Sequence, residues 1–319
     1  MPGLVYSLPI MTLGQLKRTY STEEKCLATL TKLRWPDGVR CPRCRSKDRI
    51  YALKARPFHW TCKNADCGGR NGYRFSVLKG SIFENSNVKL PLWFEVIYLM
   101  CTSKKGISAN QIARMLDASQ GGKKADYRTA WYMCHRVRVA MGSEGFDPFS
   151  GEVEIDETYV GGSTRNRHRS AKTIKRSKLI GCKDDKTPVI GAYDRSGRIT
   201  AKVLSRVTAK EMHRFVRQVV ADDVSLVATD DHAGYRNLYR HKLPHQAVNH
   251  AAGEYVRETV HGKVHTANID SFWSLLKRGI MGTFHQVSRE YLPLYVSEFS
   301  FRYNHRNDPD IFRSVLSSC

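Results

Sequence analysis

Apolar and polar residues alternate along Glu152-Val-Glu-Ile-Asp156-Glu-Thr-Tyr159 until Gly161-Gly162 ends the run, which predicts a half-buried strand. A β-branched and apolar run, Val224-Ser-Leu-Val-Ala-Thr-Asp230, predicts a second strand that delivers an aspartate at its carboxyl end. Between them, residues 187–193, Asp194-Arg-Ser-Gly197 and residues 199–204 read as strand, turn and strand, a hairpin continuing the same sheet. Residues 207–220, with Thr208 as N-cap, read as a helix crossing back to the Asp230 strand. The period then changes at His265-Thr-Ala-Asn268-Ile-Asp270-Ser-Phe-Trp273-Ser-Leu-Leu-Lys277. Ile269, Phe272, Trp273 and Leu276 fall on one helical stripe, and Asp270, Ser274 and Lys277 on the face beside it. The aromatic-rich residues 291–303 predict a last helix that leaves Arg302 and Arg306 to the solvent side.

The N-terminal half is helical at both ends and differs in its middle. Ser21-Thr-Glu-Glu opens a capped helix that Pro36-Asp-Gly38 stops, and the cluster of large apolar residues at 92–100 predicts a core helix. Residues 108–116 and 126–141 predict two more, joined by a polar, glycine-containing segment at 118–125. This pair resembles a helix-turn-helix, whose second helix, with Arg128, Trp131, His135, Arg136 and Arg138, would enter a major groove; the alternative is a helical spacer with a solvated basic face.

Cysteine spacing accounts for that middle part. Cys41-Pro-Arg-Cys44 and Cys62-Lys-Asn-Ala-Asp-Cys67 are separated by 17 residues, enough for a hairpin that brings two knuckles round one tetrahedral Zn²⁺. Phe58-His-Trp60 and Tyr73-Arg-Phe75 are the strands expected to flank the second knuckle. The count of 9 cysteines is odd and no secretory signal precedes them, which argues for a reducing compartment; Cys26, Cys101, Cys134, Cys182 and Cys319 read as small apolar residues.

Charge changes the picture further. With 52 Lys and Arg against 30 Asp and Glu, the net charge is +22 and points to a polyanionic partner. No segment has the 18 or so uninterrupted apolar residues of a spanning helix, so an anionic membrane is the weaker candidate and a soluble, intracellular protein is expected. Residues 163–183 hold eight basic residues, among them Arg165, Arg167, Arg169, Lys172, Lys175 and Arg176, and no acid. Such a run reads as a solvated loop that orders on a phosphate backbone.

Asp156, Asp230 and Asp270 stand on two strands and a helix, and three converging carboxylates suit Mg²⁺ or Mn²⁺, one or two ions, for an in-line phosphoryl displacement. Lys277, two turns beyond Asp270, is placed to contact a phosphate. Of His232, His245, His250, His261, His265 and His285, His265 is best placed for a site contact, five residues before Asp270. The rest read as structural or surface residues.

Asp156-Glu-Thr-Tyr-Val-Gly-Gly162, Thr229-Asp230 followed by Tyr235, the segment from His265 to Lys277, and Glu298-Phe-Ser-Phe-Arg302-Tyr-Asn304 together resemble the catalytic domain of DDE-type insertion-sequence transposases, closest to the group with an N-terminal zinc ribbon. The resemblance implies a ribonuclease H-like fold: a mixed sheet flanked by helices, preceded by a zinc ribbon and a helical DNA-binding region. It implies domains at 1–35, 36–80, 88–145 and 150–312. The implied activity is binding of the element's ends on double-stranded DNA, metal-dependent cleavage and strand transfer into target DNA, by a homo-oligomer in the cytoplasm of a bacterial or archaeal cell. The third acidic residue of such enzymes is usually Glu; here Asp270 stands there, with Asn268, expected at a helix N-cap, as the alternative third residue. Two other classes use the same residues: a structure-selective nuclease of the same fold, and an inactive zinc-containing DNA-binding regulator.

Overall fold

A computed structural model of the chain describes residues 11–68, 71–119, 126–143, 145–161, 186–259 and 262–319. They fall into two compact units, one running to residue 144 and including 306–319, the other spanning 145–305.

In the first unit, α1 (Leu13–Thr19) starts from a capping box between Thr12 and Gln15, and α2 (Glu23–Arg34) from the Thr22 hydroxyl, which accepts the Lys25 N–H. Strands β1 (Ile50–Ala52), β2 (His59–Cys62) and β3 (Tyr73–Ser76) pair antiparallel in that order, with the short α3 (Ala65–Gly68) between the last two. Gly72 turns the chain into β3 at φ +68°, where a Cβ would lie 2.7 Å from the Cys62 carbonyl oxygen; only glycine fits. Helix α4 (Leu90–Thr102) is buried from Trp93 to Cys101, because α1, α2, α5 (Ala109–Ser119), α6 (Tyr127–Met141) and the C-terminal helix Ile311–Ser317 all pack on it. Phe94 is the hub of that packing, with ring centroids 5.0 Å from Tyr20 and 5.7 Å from Phe312.

The segments 1–35, 36–80 and 88–145 share one compact unit, in which the apolar Phe312, Val315 and Leu316 of the C-terminal helix are also buried. Helices α5 and α6 are present and packed together, whereas most of the segment joining them, residues 120–125, lies outside the described residues.

The second unit is built on five strands: β4 (Glu152–Val160), β5 (Thr187–Asp194), β6 (Arg198–Val203), β7 (Leu226–Asp230) and β8 (His245–Val248), in the order β6-β5-β4-β7-β8. The first three pair antiparallel, while β7 and β8 add in parallel. Val153, Ile155, Ile190, Ala192 and Val227 face α7 (Ala209–Val219), which buries Met212, Phe215, Val216 and Val219 against them. Thr208 caps α7 as its sequence predicts. On β4 and β5 lies α8 (Ala267–Gly279), and on β6 lies α9 (Leu292–Asn304). The small hairpin of β9 (Arg257–Thr259) and β10 (Gly262–Val264) adjoins β8. This is the mixed, helix-flanked sheet of the ribonuclease H-like class, as expected, and it was built from the two periodicities of the sequence. Among the described residues no helix is long and apolar enough to cross a membrane.

Candidate active site

Strands β4 and β7 run parallel with Ile155 beside Thr229, so one step on Asp156, midway along β4, comes beside Asp230 at the carboxyl end of β7. Strand alternation sends Glu157 to the other face, yet past the last residue that β4 pairs with β7 it meets them. Carboxylate oxygens of Asp156, Glu157 and Asp230 lie within 4.8 Å of one another. Asp270, exposed in the first turn of α8, stands outside that trio, but its charge reaches Asp156.

Asp156 carries the electrostatic consequence. Burial first, then the charges of Glu157, Asp230 and Asp270, push its carboxyl up to about 8. Burial also raises Glu157 and Asp230. Carboxylates that cannot all ionise in one place fit a divalent cation, and an all-oxygen donor set suits a hard one over softer metals.

The trio is held from behind. Trp273 Nε1 donates to Asp156 Oδ2 at 2.9 Å, so the side chain expected only to pack is both buried, at 3% exposure, and a hydrogen-bond donor to the site. Gly191 makes this possible: it pairs with Asp156 across β4 and β5, and a Cβ there would come within 2.7 Å of Trp273 Cη2. Tyr235 O–H donates to Glu157 Oε2 at 2.8 Å, and the His232 N–H donates to Asp230 Oδ1 at 3.2 Å. Lys277 is exposed together with Asp270 and Ser274, on the stripe predicted for it.

Asn268 is placed otherwise than expected. The N-cap of α8 is Thr266, and Asn268 turns both its backbone N–H and its amide Nδ2 to Glu154, at 3.0 and 2.7 Å. The best-placed histidine, His265, also faces Glu154, with Nδ1 3.3 Å from Oε1.

In the first unit the four expected thiols gather: Sγ atoms of Cys41, Cys44, Cys62 and Cys67 lie within 4.8 Å of one another. The Arg43 N–H points at Cys41 Sγ (3.4 Å) and the Asn64 amide at Cys44 Sγ (3.5 Å), a donor pattern suited to thiolates round Zn²⁺.

The basic residues divide. Arg128 is exposed at the start of α6, and Arg136 is half-buried, donating to the Glu84 carbonyl at 3.1 Å and to the Tyr132 hydroxyl. Arg138 and Arg302, expected on open surfaces, are buried at 2% and 4% exposure. Arg138 falls on the stripe of α6 that also buries Ala130, Cys134 and Met141, and Arg302 pairs with buried Glu298 one turn earlier at 3.2 Å. Counting basic residues without assigning them to helix faces misplaced both. Arg165, Arg167, Arg169, Lys172, Lys175 and Arg176 lie outside the described residues.

Sequence reasoning missed Glu157 as a member of the trio and Glu154 altogether. The alternation rule argues against Glu157, because successive residues of a strand point to opposite faces. Glu154 did carry a signal: it shares the face of Asp156 on β4, where alternation alone expects a solvated carboxylate and the structure buries it.

Residues 148–304 match the ISXO2-like transposase domain family and residues 21–70 the transposase zinc-ribbon domain family. An uncharacterized protein in transposable element ISH50 of Halobacterium salinarum is 29% identical over 294 residues, 89% of this chain and 92% of the relative. Among solved structures, a simian T-cell lymphotropic virus intasome in complex with PP2A regulatory subunit B56 gamma aligns at 13% identity over 65% of each chain with a TM-score of 0.29, too low to carry any argument. With the zinc ribbon and the transposase domain matched in order along it, the chain belongs to the DDE-type insertion-sequence transposases that carry an N-terminal zinc ribbon.

Proposed function

We propose that this transposase binds the ends of its element on double-stranded DNA and carries out metal-dependent cleavage and strand transfer with Asp156, Asp230, Glu157 and Asp270. The observation that carries the reading is the meeting of three carboxylates from two parallel strands within 4.8 Å, with the charge of a fourth reaching them from α8. Asp156, Glu157 and Asp230 would hold one or two Mg²⁺ or Mn²⁺ ions, which would supply positive charge for an in-line displacement. The chain's own residues do the rest. Trp273 takes one oxygen of Asp156 and leaves the other for a ligand; Tyr235 takes Glu157 Oε2, while His232 Nε2 stands 3.7 Å from Oε1. Lys277 is exposed two turns along α8 from Asp270, where it meets a phosphate of the bound strand. The surplus of +22 supplies further contacts, from Arg128 and Arg136 and from the basic run at 163–183. In the first unit Cys41, Cys44, Cys62 and Cys67 hold a structural Zn²⁺. The active form is a homo-oligomer pairing two ends.

The test is strand transfer on labelled element ends with a target plasmid and Mg²⁺, comparing wild type with Asp156→Ala, Asp230→Ala and Glu157→Ala. Joined products that vanish in all three support the reading. Joining that survives Asp156→Ala overturns it, cleavage without joining makes the chain a nuclease, and binding without chemistry makes it a regulator.

A further inference from the structure

We propose that Glu154 and Asn268 are a positioning pair that docks the first turn of α8 on β4, so that Asn268 is a tether for the Asp270 helix and no ligand of the metal. The inference rests on the metal-dependent reading above.

Glu154 is fully buried, and a buried carboxylate is costly unless its lone pairs are filled. Here α8 fills them. The N–H groups of Asn268 and Ile269 donate to Oε2 at 3.0 and 3.2 Å, and Asn268 Nδ2 donates to Oε1 at 2.7 Å. The 13-residue helix has no side-chain cap of its own at Thr266, so this carboxylate from the neighbouring strand takes the place of one, at the end where the helix dipole favours negative charge. Arg195 completes the cradle: it donates to Glu154 Oε1 at 3.3 Å, pairs with Glu152, and reaches the Lys263 carbonyl oxygen at 2.5 Å.

Glu154 and Asp156 lie two residues apart on the same face of β4. Asn268 holds the former, and Trp273, little more than a turn later, holds the latter at 2.9 Å. Two fixed points on one helix set its rotation and its height over the sheet, and Asp270 lies between them. Asn268 commits its amide Nδ2 to Glu154, which is not a member of the carboxylate trio.

The two roles for Asn268 predict opposite signs. A ligand amide changed to a carboxylate binds a divalent cation at least as tightly. A tether changed to a carboxylate sets like charge against Glu154. We therefore expect Asn268→Asp, in the full-length protein loaded with zinc, to weaken Mn²⁺ binding on the order of 10- to 100-fold, read by electron paramagnetic resonance, and to lower the melting temperature. Adding Glu154→Gln in the same chain returns an amide-to-carboxylate pair and recovers most of both. Tighter Mn²⁺ binding by Asn268→Asp, or no recovery in the double variant, overturns the proposal. If Asn268→Asp does not fold, Asn268→Ala and Glu154→Gln are combined in a double-mutant cycle on Mn²⁺ affinity, where additive effects overturn it and coupled effects support it. The titration needs no DNA, so a protein that binds Mn²⁺ but joins nothing defeats the proposed function and leaves the pair decided. A wild type that binds no Mn²⁺ defeats the metal reading, and the same cycle in melting temperature then decides the pair.

Discussion

Asp156 is held at two atoms' distance from several different influences, and each can be tested alone. The indole N–H of Trp273 fixes one of its oxygens at 2.9 Å, while the ring itself fills the space that Gly191 leaves open. Trp273→Phe keeps most of the ring and removes the N–H. The expected outcome is a Mg²⁺ requirement for strand transfer raised on the order of 10-fold or more, with the melting temperature little changed, because hydrogen bonds behind a metal ligand act through ligand orientation. A loss of stability with an unchanged Mg²⁺ requirement would make the indole mere packing. The carboxyl itself sits at about 8 in the metal-free protein, against an ordinary 3.8, through burial first and then the charges of Glu157, Asp230 and Asp270. A native-state value above the unfolded one means that folding takes up a proton, so this contribution to stability is complete below about pH 4 and is lost as pH rises through about 8. Metal-free protein should therefore melt at lower temperature as pH rises from about 5 to about 8.5, and Mg²⁺, which competes with that proton, should stabilise it more across the same window. Asp156→Asn flattens both trends in scanning calorimetry; a metal-free wild type that gains stability with pH over that window contradicts the account.

At the scale of elements, the helices and strands follow the sequence closely wherever one period runs for two turns or five residues. The stripe Ile269, Phe272, Trp273 and Leu276 is buried as a 3.6 period requires, and the β-branched run to Asp230 is a strand in the sheet. The short β1, β8, β9 and β10 carry three or four residues each, too few for a period to show, and the terminal helix Ile311–Ser317 is only seven long. The site was legible to the same degree. Asp156 stands on one recognisable strand and Asp230 ends another, and the four cysteines have knuckle spacing, but the partners that give Glu154 and Glu157 their roles are distant in sequence. Helix α6 shows the same limit. Its basic residues form no single face: Arg128 is exposed, and Arg138 lies on the buried stripe. The two should part in experiment. Arg128→Ala should leave stability within about 0.5 kcal/mol and weaken binding to element ends, lowering the salt slope by about 1. Arg138→Ala should instead lower the melting temperature and leave the salt slope of the folded fraction unchanged. The reverse pattern, read from binding isotherms at several salt concentrations beside thermal melts, would mean that α6 presents its other face to DNA.

For the whole molecule, charge and chemistry set a stoichiometry. A surplus of +22 can neutralise many phosphates, and a footprint of about six to ten contacts costs roughly three to five orders of magnitude in affinity between 50 and 200 mM salt. Among its described residues one chain supplies one trio, Asp156, Glu157 and Asp230, the carboxylates for one DNA end, whereas insertion of an element joins two. The proposed oligomer follows from that inequality: two copies, each acting at one end, held together long enough for both joinings to reach the same target. Mixing wild type with Asp156→Ala before adding DNA tests it directly. If copies pair at random, an equal mixture gives about half of the pairs with one working site, and these accumulate target plasmid joined at a single end. The yield of two-end products then falls roughly as the square of the wild-type fraction, while total cleavage falls in direct proportion. Two-end products that fall only in proportion would mean that one copy processes both ends in turn, and that the second end is handed to the same carboxylates.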